Sequence, residues 1–351
     1  MLRFVQFFGK DHCKLNKVST ILFSLHVGQL TMIAEQLKNI LKDMGEDRFS
    51  SIDEILSKKE QNLSEIQSRM TAYQKDFWFD GHEIQSSSDL VKVRAKSSID
   101  IINEQLKTPP YGIFTPGPIV STSSGSTTGI KKMYPRSLDD YYRYMLGKIR
   151  TFQHYGVDSS DVFSSTETGG MFLAHAGHED AAVICYNATR ARTHDPVLTK
   201  RLEFMGEMGV TIISGTPTKL LRMARLGPKK YIKNKIKLII SVGEKLTDAE
   251  EIAKAFDVKL VTDSYGSVEM GNIFWTCPFG HKHVNDDVLH IIPSNDNDRS
   301  LFSNLSSLPV FNYDLGENLN FSYKGKCECG SYLPTVDAFT IDGPSRANKN
   351  D

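Results

Sequence analysis

The sequence predicts an α/β fold with a helical region before it and a β-rich portion after it. Three observations carry this reading. Apolar residues in the first hundred positions fall at helical spacing, as in Ile33, Leu37, Ile40, Leu41 and Met44. Between residues 108 and 275, short apolar runs alternate with helix-length segments, the pattern of a sheet with parallel strand pairs. After residue 276 the helical spacing disappears, and short strands separated by Asn, Asp, Gly and Ser run to the end.

Taken in order, Ser51 opens a Ser-x-x-Glu capping box with Glu54, and Ile55, Leu56, Leu63, Ile66 and Met70 follow it. The stretch TPPYGIFTPGPIV, residues 108–120, holds four prolines in thirteen positions. It reads as a connection, because proline lacks the amide that an element interior needs. Ser137 caps a helix carrying Leu138, Tyr142, Met145, Ile149 and Phe152. Ala181–Tyr186 reads as a strand, with Cys185 in the core. Val210–Ser214 reads as another, followed by a helix with Leu220, Leu221 and Met223. Ile236–Ser241 is a strand, Thr247 with Glu250 forms a second capping box for a helix through Phe256, and Lys259–Thr262 is a further short strand.

Composition excludes several classes. The 42 Lys and Arg balance 42 Asp and Glu, without the basic excess of a nucleic-acid-coating protein. No run of 18 apolar residues suits a membrane span, and the first residues lack the pattern of a signal peptide. A cytoplasmic protein is expected, with neither nucleic acid nor membrane as partner. Five cysteines, an odd number in a long chain, do not make a disulfide framework.

The richest segment is Ser121-Thr-Ser-Ser-Gly-Ser-Thr-Thr-Gly-Ile-Lys-Lys132. Glycine lets backbone amides approach an anion, hydroxyls donate to phosphate oxygens, and lysine supplies charge. The Walker pattern is not matched. Three Gly-containing turns follow predicted strands: Ser214-Gly-Thr-Pro217, Ser241-Val-Gly-Glu-Lys245 and Asp263-Ser-Tyr-Gly-Ser-Val-Glu-Met-Gly271. Ligands of open α/β sheets bind at the carboxyl ends of strands, so the three turns would form one cleft.

In this order these segments, with Leu308-Pro-Val-Phe-Asn-Tyr-Asp-Leu-Gly-Glu317, resemble the adenylate-forming superfamily of acyl- and aryl-CoA ligases, in particular its phenylacetate–CoA ligase branch. The resemblance runs from about residue 108 to about residue 343. It implies the large N-terminal domain of that fold, ATP and Mg²⁺ as cofactors, and a small-molecule carboxylic acid as substrate. It also implies attack of the carboxylate on the α-phosphate, giving an acyl-adenylate, with transfer to coenzyme A or a carrier protein to follow. The phosphate loop would comprise Ser123, Ser124, Gly125, Ser126, Thr127, Thr128, Gly129, Lys131 and Lys132. Glu269, Lys131 and Thr127 are the catalytic candidates, with Glu269 near Mg²⁺. Gly215, Thr216 and Pro217 match the Gly-Thr-Pro turn. Gly243 and Glu244 match the segment beside adenine. Tyr265, Gly266 and Ser267 begin the motif whose tyrosine flanks that base. Glu317, where the family has Asp, would hold the ribose hydroxyls.

The sequence departs from the pattern in places. The loop has three residues between its glycines instead of two; alternatively Thr128 replaces the second glycine, placing Ile130 and Lys131 at the usual Pro and Lys. Val268 replaces Ser or Thr. Only 34 residues follow Glu317, whereas family members continue into a lid domain carrying a lysine. The organisation expected is therefore a helical region at 1–107, an α/β nucleotide-binding core at 108–275, a β-rich portion at 276–343, a disordered tail at 344–351, and no lid. A second reading follows: a nucleotide-binding or scaffold subunit without turnover, whose partner supplies the lid. A third is transfer of a protein-bound acyl group.

Cys277, Cys327, Cys329 and one histidine of Cys277-Pro-Phe-Gly-His-Lys-His283 make a Cys₃His set for structural zinc. Resemblance to relatives with such a site favours His283 over His281. The stretch 169–178, with His175 and His178, reads as a loop with hydrogen-bonded histidines, or by resemblance as the acyl-pocket region.

Overall fold

The computed structural model describes residues 35, 38–39, 41–43, 45–123, 129–167, 173–193, 195–293 and 299–341. Two compact units are present, Met1–Met44 and Gly45–Asp351. The described residues of the first are helical, with Lys38 Nζ 2.7 Å from Glu35 Oε1. Of the apolar face predicted there, only Leu41 lies among the described residues.

The second unit opens with helix α1 (Ile52–Arg69). Ser51 caps it by accepting from the Glu54 amide at 3.3 Å. The Glu54 carboxylate reaches the Ser50 amide at 2.6 Å, so the predicted box closes one residue early. Ile55, Leu63 and Ile66 are buried as expected, whereas Leu56 is exposed. Helices α2 (Ala72–Phe79) and α3 (Ser98–Lys107) follow. The proline-rich segment forms turns and carries no helix or strand before β1 (Ile119–Thr122), which pairs antiparallel with β2 (Met133–Arg136) around the Ser/Thr/Gly loop.

Helix α4 (Leu138–His154) starts at Ser137, whose box closes with Asp140. Then come β3 (Val162–Ser165), α5 (Leu173–Tyr186), β4 (Thr189–Ala191), α6 (Leu198–Glu207), β5 (Ile212–Gly215), α7 (Pro217–Arg225), β6 (Leu238–Val242), α8 (Ala249–Phe256) and β7 (Thr262–Ser267). Two expectations are corrected here. Ala181–Tyr186 is not a strand but the last turns of α5. That helix is buried on most sides, so its apolar residues show no stripe and mimic a buried strand. The Thr247–Glu250 box does not form, because the Thr247 hydroxyl donates to Asp248 at 2.6 Å and the helix begins at Ala249.

Strands β8 (Gly271–Thr276), β9 (Lys282–Val284), β10 (Leu289–Pro293), β11 (Ser300–Asn304), β12 (Val310–Asp314), β13 (Glu317–Ser322) and β14 (Thr335–Ile341) complete the fold and match the β-rich C-terminal portion. One nine-stranded sheet runs β13-β14-β9-β8-β7-β6-β5-β3-β4. It is parallel from β4 to β7 and antiparallel from β7 to β13. Ile213 and Ile239 on one face pack with Leu202, Met205, Leu220, Met223, Ile252 and Phe256 from α6, α7 and α8. Each such buried side chain contributes about 1.5–3 kcal/mol. The other face meets α4 and α5, where Phe152 and Phe163 stand edge to face at 6.2 Å.

Strands β10–β12 form a separate antiparallel sheet. Lys96 bridges to its strand β12 beside Tyr313, through Lys96 N to Asn312 O and Asp314 N to Lys96 O, both 2.8 Å. This carries the start of α3 to the site. Among the described residues no helix is long and apolar enough to cross a membrane.

Candidate active site

The three glycine turns lie at the carboxyl ends of the adjacent parallel strands β5, β6 and β7. Gly215 ends β5, and a Cβ there would sit 2.4 Å from Thr166 Oγ1, so only glycine fits. Thr216 is the N-cap of α7 and Pro217 its first residue, where proline loses no helix bond. After β6, Gly243 adopts φ +92°. The next residue, Glu244, accepts from Thr218 N at 3.2 Å and Thr218 Oγ1 at 2.6 Å, which ties this turn to the positive start of α7. At Gly266 a Cβ would lie 2.0 Å from Gly271 O, and Ser267 Oγ accepts from Met270 N at 3.1 Å. That tight turn between β7 and β8 carries Glu269.

Glu269 is buried. Its Oε1 accepts from Tyr134 Oη at 2.7 Å and lies 3.2 Å from Lys132 Nζ. Lys132 Nζ also donates to Tyr313 Oη at 2.7 Å and Ser98 Oγ at 2.8 Å. Burial would raise the Glu269 carboxyl, but the Lys132 charge and the Tyr134 hydroxyl outweigh it and hold the group below its ordinary value. Lys132 is displaced the opposite way: burial lowers it, and Glu269 and Tyr313 raise it further. The pair is therefore ionised. Arg136, fully buried, donates to Ser121 Oγ and to Val268 O in the same turn.

Tyr265 stacks on Phe274 with centroids 5.2 Å apart and donates its hydroxyl to Glu317, the first residue of β13. Ser123 closes the neck of the loop: its amide donates to Lys132 O at 3.0 Å and its Oγ accepts from Lys132 N at 3.1 Å. Gly129 adopts φ +74°, and Lys131 is exposed. Ser124, Gly125, Ser126, Thr127 and Thr128 lie outside the described residues.

Sequence reading missed Tyr134, Arg136, Tyr313 and Ser98. A signal existed for two of them: Tyr134 and Arg136 fall two apart in β2, on the same face as Lys132 just before it. Tyr313 lay inside a quoted segment, and Ser98 had no signal at all.

Behind this turn, α5 presents His175 Nδ1 at 3.3 Å from Ser214 Oγ. His178 Nε2 stands 3.2 Å from Ser264 Oγ, while its Nδ1–H donates to Ala174 O at 2.8 Å. The predicted loop is thus helical from Leu173. Burial depresses His175 to about 4 and His178 further. Below about pH 6.5 the unfolded chain binds protons that the fold refuses, so stability falls as pH drops from there toward 4. His175 accounts for about 2 kcal/mol of this by pH 5, at ~1.4 kcal/mol per pH unit, and His178 acts in the same direction. Urea unfolding at pH 7 and pH 5 checks this, and His175→Gln is expected to shrink the difference by about that amount.

Cys277, His283, Cys327 and Cys329 place their ligand atoms within 4.8 Å of one another. Cys277-Pro-Phe-Gly280 and Cys327-Glu-Cys-Gly330 form matching knuckles. Gly280 N donates to Cys277 O at 2.9 Å, Gly330 N donates to Cys327 O at 2.8 Å, and both glycines have positive φ. His283 Nδ1–H donates to Leu333 O at 3.0 Å, which leaves Nε2 facing Cys329 Sγ at 3.4 Å. A ligating histidine is normally oriented in this way. Hydrogen bonding from Cys329 holds the Cys277 thiol well below its ordinary value. The donor set and tautomer fit zinc. His281, exposed, reaches only Cys327 Sγ at 3.2 Å.

No family model matches the chain, and no curated protein matches it in sequence. Solved structures do match its fold. An open conformation of 2-hydroxyisobutyryl-CoA ligase with 2-HIB-AMP and CoA superposes with TM-score 0.66 at 14% identity, over 80% of this chain and 67% of that one. The same enzyme in the postadenylation state with 2-HIB-AMP gives 0.66 and 14% over 82% and 67%. Its thioesterification state gives 0.67 and 15% over 81% and 66%. This chain spans about two thirds of that ligase's length.

Proposed function

We propose, from the fold that this chain shares with acyl-adenylate-forming CoA ligases, that it activates a carboxylic acid with ATP, forming an acyl-adenylate and pyrophosphate. One observation carries the reading: the buried Glu269, the Tyr265–Glu317 pair and three glycine turns converge on the carboxyl ends of β5, β6 and β7. The phosphate loop from Ser123 to Lys132 would bind the β- and γ-phosphates, with Lys131 and Thr127 as their contacts. Tyr265 would flank adenine beside the turns of Gly215–Pro217 and Gly243–Glu244, and Glu317 would accept from the ribose hydroxyls. Phosphate chemistry of this kind needs positioning and charge neutralisation more than covalent help.

Glu269 fits a magnesium ion, because its carboxylate is ionised and both side-chain contacts fall on Oε1. When bound, the ion would neutralise phosphate charge. The cysteine cluster would hold a structural zinc. Placement in the phenylacetate–CoA ligase branch rests on the motif order, and transfer to CoA or a carrier protein would complete the reaction. Carboxylate-dependent exchange of pyrophosphate into ATP, with pooled acyl and aryl acids, tests the reading. Measurable ATP binding with no exchange from any acid would instead support a nucleotide-binding subunit that needs a partner.

Glu317→Ala is expected to raise the KM for ATP about tenfold or more, in line with loss of a charge-assisted bond worth ~1.5–3 kcal/mol. The KM for the acid should stay put. Steady-state exchange at varied ATP and varied acid separates the two, and equal rises in both would remove Glu317 from the ribose site.

A further inference from the structure

Among the described residues four lysines are buried: Lys59, Lys96, Lys132 and Lys148. Three have carboxylate partners, Asp286 at 2.5 Å, Asp80 at 2.5 Å and Glu269 at 3.2 Å respectively. Lys148, on α4, has none. Its Nζ stands 3.8 Å from the centroid of the Tyr144 ring, and among the described residues no hydrogen-bond acceptor reaches it. The nearby charge is also positive, since Arg136 lies 5.1 Å from the same ring and hydrogen-bonds only to neutral oxygens. His175 and His178, the other ionisable neighbours, are neutral.

The fold makes room for this side chain. Gly177 sits inside α5, where glycine weakens a helix. A Cβ there would lie 2.9 Å from Lys148 Cε and 3.0 Å from Tyr144 Cε1. The Tyr144 ring also abuts the turn that holds Glu269, because a Cβ on Gly271 would meet Tyr144 Cδ2 at 3.4 Å. Lys148 therefore lies between α4 and α5, beside the Tyr144 ring that abuts the Glu269 turn and near the histidines that meet Ser214 of β5 and Ser264 of β7. A buried ammonium without a counter-charge is costly unless a ligand supplies one. Desolvation, aided by Arg136, depresses Lys148 to about 7, so without an anion the amine is only partly protonated at neutral pH, and a bound carboxylate would favour its charged form.

We propose that Lys148 anchors a second carboxylate on the acid that this site activates, so that the preferred substrate is a short dicarboxylate. The proposal rests on the adenylation reading above and names its substrate class. Its test is pyrophosphate exchange by the full chain with Mg²⁺, comparing malonate through adipate with monocarboxylates of matched length.

The wild type should favour one dicarboxylate by about 100-fold in kcat/KM, the order of a buried charge pair. Lys148→Met should remove that preference, leave the matched monocarboxylate within about twofold, and melt no lower than the wild type. Lys148→Gln, a neutral donor, should fall between them and serves if the Met variant does not fold. A wild-type preference for monocarboxylates, or an equal loss for both classes in the variants, overturns the proposal. If no acid supports exchange, the adenylation reading fails on its own. Calorimetric titration with the same dicarboxylates then decides: binding lost in Lys148→Met upholds the anchor, and no binding to the wild type overturns it.

Discussion

Glu269→Gln is expected to lower acid-dependent pyrophosphate exchange at least ~100-fold, the scale seen when one preorganised electrostatic group is removed from a buried site. The side chain keeps its shape and can still accept from Tyr134, so what is lost is the charge. That charge has two duties here. On the proposed reading it serves the phosphate site, and it balances Lys132 at 3.2 Å. Removing it strands a buried ammonium, which typically costs 3–5 kcal/mol. Loss of exchange alone would therefore not tell chemistry from folding. The double variant Glu269→Gln/Lys132→Met separates them when read against Lys132→Met alone, because that lysine also belongs to the proposed phosphate loop. An apolar replacement relieves the stranded charge, so urea-derived stability should recover most of the loss while exchange stays absent. Recovery of exchange together with stability would mean that Glu269 serves only the fold.

The cysteine cluster carries the second large effect. Purified protein is expected to hold one zinc per chain by elemental analysis. Cys329→Ser should abolish it and cost on the order of 5 kcal/mol, since structural zinc binding is folding free energy. The cost is local in origin: Cys277 directly follows β8, His283 lies in β9, and Cys327 and Cys329 lie in the loop between β13 and β14. They sit in one small core with Ile55, Trp275 and Leu333. His281→Ala should retain the metal. Loss of metal in that variant and not in His283→Ala would reassign the ligand, and a metal-free wild type with full stability would show a purely thiol-packed corner.

Much of this was legible in the chain. The alternation that predicts parallel pairs is local, and so are the glycine turns, because a turn needing positive φ or close approach selects glycine within a few residues. The cluster was legible because few side chains bind zinc. What escaped were contacts between remote positions. Lys132 meets Ser98, Tyr313 and Glu269 in one network, and only the fold brings those segments together. Ala181–Tyr186 escaped for a different reason: a helix buried on most sides loses the periodicity that separates it from a strand.

The β13–β14 hairpin joins two features treated separately above. Glu317 stands at its base, paired with Ile341, and Cys327 and Cys329 occupy its tip beyond the Ser322–Thr335 rung. A chelator or a thiol oxidant acting at the tip would loosen the same ladder that sets Glu317 against Tyr265. On the proposed reading, with zinc in the cluster and the ribose on Glu317, a preparation stripped with EDTA and restored with Mg²⁺ would show weakened ATP binding that no residue of the nucleotide site had caused.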